Sequence, residues 1–283
     1  MQTRRRVLQT LPGALVAAAL PGCAQQPATA AAGEIDAALR AAVDGAHRSP
    51  ANRARDPWRH PLETLAFFGL QPAHTVVELQ PGGGWYSEIL APYMRERGRY
   101  FAAHFAADTT NAYQRRARAG FVARMAQAPA VYDRATLGTL PAAAGFTDIG
   151  PPGSFDLVLT FRNVHNWLGD GSLDATLRAC HALLKPGGTL GVVDHRAAPG
   201  TALETMKKSG YVTEALMEER ARAARFTLAA KSEINANPRD SRDHLGGVWS
   251  LPPTLSGKDV RREHFLAIGE SDRFTHRYTR PLA

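Results

Sequence analysis

The chain has 283 residues, 44% of them apolar and 21% charged, which suits a folded globular protein with room for one large domain or two small ones. Its formal charge of +8 is a mild excess, and Arg4, Arg5 and Arg6 at the start carry three of those charges. The remaining basic residues are dispersed. Arg115, Arg116, Arg118 and Arg124 read as a solvated helix face, and no aromatic-interleaved basic module accompanies them, which argues against a nucleic-acid-binding role.

Residues 1–23, MQTRRRVLQTLPGALVAAALPGC, run from a basic start through an apolar stretch to small residues, the order of a signal peptide. The apolar part is broken by Pro12 and is too short to span a bilayer. Thr3–Leu8 resembles a twin-arginine export signal. Leu20-Pro21-Gly22-Cys23 resembles a lipoprotein box, which implies cleavage before Cys23 and a lipid anchor on its thiol. Pro21 is unusual in such a box, so cleavage in the Ala-rich stretch that follows is the alternative. The expected localisation is export to the periplasm or lipid anchoring at a bacterial envelope; a mis-assigned start codon would leave the protein cytoplasmic. Residues 24–33 form a linker, and 34–283 the folded domain. Cys180 is the other cysteine, so a lipidated or removed Cys23 leaves no disulfide within the chain.

A helix is expected over about 34–46 and a short one over 61–68. Thr75–Gln80 reads as the first strand, followed by a helix from Trp85 to Arg97 that contains Pro92. Tyr100–Phe105 reads as a second strand, 109–127 as a long helix, and the ambiguous stretch 131–150 offers a short strand near 134–139. FDLVLTF at 155–161 is a nearly continuous apolar run, as in a strand buried on both faces. LDATLRACHALL puts Leu173, Leu177, Cys180 and Leu184 on one helical stripe, which reads Cys180 as a packed thiol. Lys185-Pro186-Gly187-Gly188 is expected to stop that helix with a left-handed glycine cap, before another buried strand, TLGVVD. A helix near 211–224, a strand near 226–231, a polar connection and a last strand at 273–279 complete the pattern. Strands alternating with helices imply a mostly parallel sheet with helices on both faces and a ligand beyond the carboxyl ends of its strands.

The central motif is VVELQPGGGWYSEIL, residues 76–90. A strand that turns into a helix while its backbone approaches a ligand needs residues without side-chain bulk and with access to positive φ. A dinucleotide loop needs G-x-G-x-x-G, which the contiguous Gly82, Gly83 and Gly84 do not provide, and no Walker lysine is present. The run resembles the first motif of class I S-adenosylmethionine-dependent methyltransferases: an acid at Glu78, and Gly82 and Gly84 on the second and third glycines, with Gln80 in place of the first. FDLVLTFRNVHNW and LLKPGGTLGVVD resemble the fourth-strand and fifth-strand regions of the same family, so the resemblance spans about 60–280. It implies a Rossmann-like seven-stranded sheet, mostly parallel, with an antiparallel last strand and S-adenosylmethionine as cofactor.

By that resemblance, Glu78 meets the methionine amino end of the cofactor, and Gly82–Gly84 cradle its methionyl and ribose parts. His104 stands where an acid usually binds the ribose hydroxyls, with Asp108 as a substitute. Gln80, Tyr86, Phe161 and Asn163 complete the expected cofactor set, and Phe161, Trp167, Trp85 and Tyr86 also suit an apolar acceptor pocket. His104, Asn163, His165, Asp194 and His195 fall at strand ends on one edge. His165 is the first candidate for general base, with His195 second and Asp194 beside them. Arg59, His60 and Glu63 either close over the cofactor or cap the helix at Pro61, and His244 and Trp249 lie in a connection that could cover the acceptor. The expected function is methyl transfer to a small-molecule acceptor. Two alternatives keep the fold: an exported binding protein without turnover, and a metal-dependent enzyme on the three histidines, for which no tight ligand spacing is present.

Overall fold

A computed structural model describes residues 36–140 and 146–282. The leader, Cys23 and the linker lie outside the described residues, and among those described no helix is long and apolar enough to cross a membrane.

Seven strands form one sheet: β1 (Thr75–Leu79), β2 (Arg99–His104), β3 (Thr136–Thr139), β4 (Phe155–Phe161), β5 (Leu184–His195), β6 (Thr227–Ser232) and β7 (Arg273–Thr279). Their order is β3-β2-β1-β4-β5-β7-β6. β7 runs antiparallel between β5 and β6, and the pairings from β3 through β5 are parallel. This is the expected Rossmann-like sheet. Chain order reverses between β1 and β4, which opens a crevice beyond their carboxyl ends.

The sheet separates two apolar layers, and alternation along each strand assigns its residues to one or the other. Val77, Leu79, Val158 and Val192 face the layer of helices Leu173–Leu183 and Glu214–Ala223. Val76, Leu157, Leu159 and Val193 face the layer of helices Ala37–Asp44, Pro61–Phe67 and Ser87–Met94. Cys180 is wholly enclosed in the first layer, where burial pushes its thiol well above the ordinary range. It is a packed thiol.

The helix after the glycine loop tolerates Pro92 for a visible reason. Proline has no N–H for the carbonyl of Glu88, and His47 Nε2 donates to that carbonyl instead, at 2.8 Å. The expected left-handed cap at 185–188 is corrected. Helix Leu173–Leu183 ends with Leu184 already extended and paired to Phe155 of β4. Gly187, at φ 79°, instead bends the entry to β5, where its N–H donates to the carbonyl of Arg280 at 2.8 Å. A helix at Leu203–Ser209 was not expected, and the next begins only at Glu214, where Thr213 accepts the Leu216 N–H at its cap.

Candidate functional site

The loop after β1 is held from both sides. Gln80 adopts φ 44°, a left-handed conformation that costs a non-glycine residue about 1–2 kcal/mol. Three bonds fix it there. Its N–H donates to Ala103 of β2 at 2.7 Å, its Oε1 accepts from the Trp167 indole at 3.0 Å, and Asn163 Nδ2 donates to the Leu79 carbonyl at 2.9 Å. Asn163 thereby ties the β4 loop to the β1 loop. Gly82 and Gly84 also have positive φ, at 58° and 82°. A Cβ on Gly82 or Gly83 would meet nothing within 4 Å, so these glycines face open space. That open cradle fits a bound cofactor.

Glu78 is buried, and its Oε2 accepts from Tyr100 at 2.6 Å and Ser87 at 2.7 Å. Burial raises its carboxyl to about 7, against the opposing pull of those two hydrogen bonds. The native chain therefore keeps a proton that the unfolded chain releases near its ordinary value of 4.5. The associated stability is present below that value and is lost as pH rises through 7, a change of about 3 kcal/mol. His104 and His195, both depressed, act in the opposite sense below their ordinary value, so a variant must isolate Glu78. Urea titrations of the unaltered chain and Glu78→Gln at pH 5 and pH 8 should show the variant gaining on the parent as pH rises; a constant gap would refute the assignment.

His104 does not line the cleft. Its Nδ1 accepts the Phe105 N–H at 2.8 Å and its Nε2 donates to the Gly82 carbonyl at 3.3 Å, so both nitrogens are committed. Burial depresses the ring to about 4, and it braces the glycine loop as a neutral group. Asp108 stands on the cleft wall instead, beside Phe105 and Thr109. Phe161 stacks on Tyr86 with centroids 3.5 Å apart, and both rings line the cleft.

Across the cleft, which encloses about 900 Å³, the ends of β4 and β5 bring three expected residues together. Asp194, fully buried at the end of β5, accepts His165 Nδ1–H at 3.0 Å and the backbone N–H of His165 at 3.1 Å. It also accepts the His195 N–H at 2.7 Å. The Nδ1 of His165 is thereby occupied, which leaves Nε2 as the ring's free nitrogen. The His165 and His195 rings lie 5.0 Å apart and both line the cleft. His195 Nδ1 meets Ser271 Oγ at 2.5 Å, and burial, reinforced by His165 and nearby arginines, holds its ring neutral. Val248, Trp249 and Pro252–Thr254 close one side, whereas His244 turns away to Asp240 at 2.9 Å.

The chain matches no protein-family model and no curated protein. Solved structures do share its architecture. A SAM dependent methyltransferase from Aquifex aeolicus superposes with a TM-score of 0.52 at 14% identity, over 82% of this chain and 94% of that one. Phosphoethanolamine N-methyltransferase 2 from Haemonchus contortus, solved in complex with S-adenosyl-L-methionine, gives 0.52 at 14%, over 86% and 60%. The cyclase SpnF gives 0.50 at 17%, over 87% and 92%. The chain has the class I S-adenosylmethionine-dependent methyltransferase fold.

Within this methyltransferase fold the sequence reading missed an ion cluster on the cleft wall. Glu270, from the turn before β7, accepts Arg55 Nε at 2.6 Å and Arg59 Nε at 3.1 Å, and Arg273 also donates to it. Arg162, after β4, lies in the field of the same carboxylate. No spacing rule joins positions so far apart in the chain. His165, Asp194 and His195 place ligand atoms within 4.8 Å of one another, as a metal site would. Asp194, however, already accepts three donors, and Arg162, Arg273 and Arg59 bear on His195, so the surroundings oppose an added cation.

Proposed function

We propose that the protein is an S-adenosylmethionine-dependent methyltransferase that modifies a small-molecule acceptor. One observation carries the reading: the glycine cradle, open where a Cβ would stand, shares a cleft with the His165–Asp194 pair. Gly82 and Gly83 would carry the cofactor, Glu78 and Asn163 would bound its methionine end, Asp108 would take ribose hydroxyls, and Phe161 and Tyr86 would wall the site. S-adenosylmethionine, when bound, supplies a methyl group activated on a sulfonium sulfur.

The protein's own work is alignment and proton removal. Asp194 fixes the His165 ring with Nδ1 protonated, so Nε2 accepts the acceptor's proton, and the buried carboxylate stabilises the imidazolium as it forms. His195, held neutral by burial and then by His165 and the nearby arginines, places its ring 5.0 Å from that base. Trp249, Pro252 and Pro253 line the same cleft.

Calorimetry with S-adenosylmethionine tests the reading. Micromolar binding is expected, weakened at least about 100-fold in Gly82→Val, because valine both resists positive φ and fills the cradle. An unaltered chain that ignores millimolar cofactor would overturn it. The competing reading, this fold without methyl transfer, draws support from the [4+2]-cyclase SpnF among the structural neighbours. Release of S-adenosylhomocysteine separates the two.

The leader supports a further proposal, that the protein is exported, either to the periplasm or to a lipid anchor at Cys23. A reporter fused after residue 33 should leave the cytoplasm and stay inside when Arg4 and Arg5 are changed to lysine.

A further inference from the structure

Arg162 is a half-buried charged group on the cleft wall. It stands at φ 62° immediately after β4, so its backbone is turned out of the strand. Its guanidinium makes no hydrogen bond among the described residues, and its Nε is enclosed without a partner. Burial lowers it to about 10, even with Glu270 pulling the other way. Arg59 is 4% exposed, stacks over Trp85 at 4.7 Å, donates only through Nε, and leaves an enclosed Nη2 unpartnered. Arg55 Nη2 is likewise enclosed and unpartnered. Four guanidinium groups thus share the single carboxylate of Glu270, and Arg55, Arg59 and Arg162 line the cleft. Desolvated cations without partners are costly, and an oxyanion that accepts from the free forks removes that cost.

We infer that Arg162, assisted by Arg59, forms an oxyanion subsite and that the acceptor carries a carboxylate or phosphate group that docks there. The position favours the acceptor over the cofactor. Arg162 has Asp194 and Glu270 as its charged counterparts and bears on His195, which puts it beside the proposed base His165 at the β4–β5 ends. The glycine cradle and Asp108 belong to the ends of β1 and β2. Identification of the oxyanion as the acceptor's rests on the methyl-transfer reading; the subsite itself does not.

Titrations in a zwitterionic buffer test this, with inorganic phosphate, sulfate and glutarate as probes, before and after saturation with S-adenosylhomocysteine. At least one probe should bind alongside S-adenosylhomocysteine and weaken about tenfold or more in Arg162→Gln, as expected for loss of charge-assisted bonds, while S-adenosylhomocysteine affinity holds. The phosphate and glutarate arms distinguish the two anion types. Absence of anion binding, or binding unchanged in Arg162→Gln, overturns the inference. So does competition between anion and S-adenosylhomocysteine that depends on Arg59→Gln, since the cluster would then serve the cofactor's carboxylate. If S-adenosylhomocysteine fails to bind but Arg162-dependent anion binding remains, the methyl-transfer reading falls and the subsite stands. Melting gives a second readout. Arg162→Met should melt higher than the parent in anion-free buffer and lose the parent's stabilisation by phosphate or sulfate; a lower melting point would mark Arg162 as a structural residue and overturn the inference.

Discussion

Replacing Glu270 by glutamine is expected to destabilise the fold by about 3–5 kcal/mol, the range for leaving a buried charge without its partner. Burial alone would raise the Glu270 carboxyl, yet Arg273, Arg59, Arg162 and Arg55 hold it far below the usual carboxylate range. Glutamine keeps the shape and one acceptor oxygen but removes the carboxylate that those four cations share. The effect also has a pH signature. A depressed carboxyl contributes stability that is present above its ordinary value of 4.5 and is lost as pH falls below it. Urea denaturation of the parent and Glu270→Gln at pH 7 and pH 3.5 should show the gap narrowing in acid. A difference under about 1 kcal/mol at pH 7 would mean the arginines are already screened by water in the cleft.

What the sequence disclosed follows from where its signals are local. FDLVLTF and TLGVVD are buried on both faces, so their apolar runs mark β4 and the inner part of β5 without ambiguity. The glycine loop was readable because its backbone demand is carried by residue type at Gly82 and Gly84, yet Gln80 meets the same demand through three hydrogen bonds. Only the fold supplies those partners. His104 shows the converse: its place at the end of β2 was legible, but not that Phe105 and Gly82 consume both ring nitrogens. The connection 233–272 was legible only as polar chain: it contains the short helix Arg262–Ile268, and side chains bonded to backbone hold much of the rest. Asn237 Nδ2 donates to the carbonyls of Ile268 and Glu270, and Asp240 accepts the Asp272 N–H. Those bonds set the turn that delivers Glu270 and Ser271 to the cleft.

His165→Gln should lower S-adenosylhomocysteine release about 100- to 10,000-fold with any acceptor that supports turnover, since it removes the base while keeping a polar side chain. Asp194→Asn is the sharper probe, because Asp194 reaches the acceptor only through His165. The carboxylate accepts three donors, His165 Nδ1–H and the N–H groups of His165 and His195. An asparagine has one oxygen. If that oxygen sits where Oδ1 does, it keeps the ring proton and the His195 N–H, and its amide confronts the His165 N–H. If it turns over, its amide donates to Nδ1, and Nε2 then carries the proton and cannot accept another. Both arrangements lose the negative charge that stabilises a forming imidazolium, so turnover should fall about 100-fold or more even where the ring orientation survives. Nitrogen NMR of the His165 ring tells which arrangement forms. Full activity in Asp194→Asn would remove Asp194 from the reaction, and full activity in His165→Gln would pass the base to the second candidate, His195. That transfer would require His195 to act through Nε2 while Ser271 holds its Nδ1, and Ser271→Ala would then lower turnover.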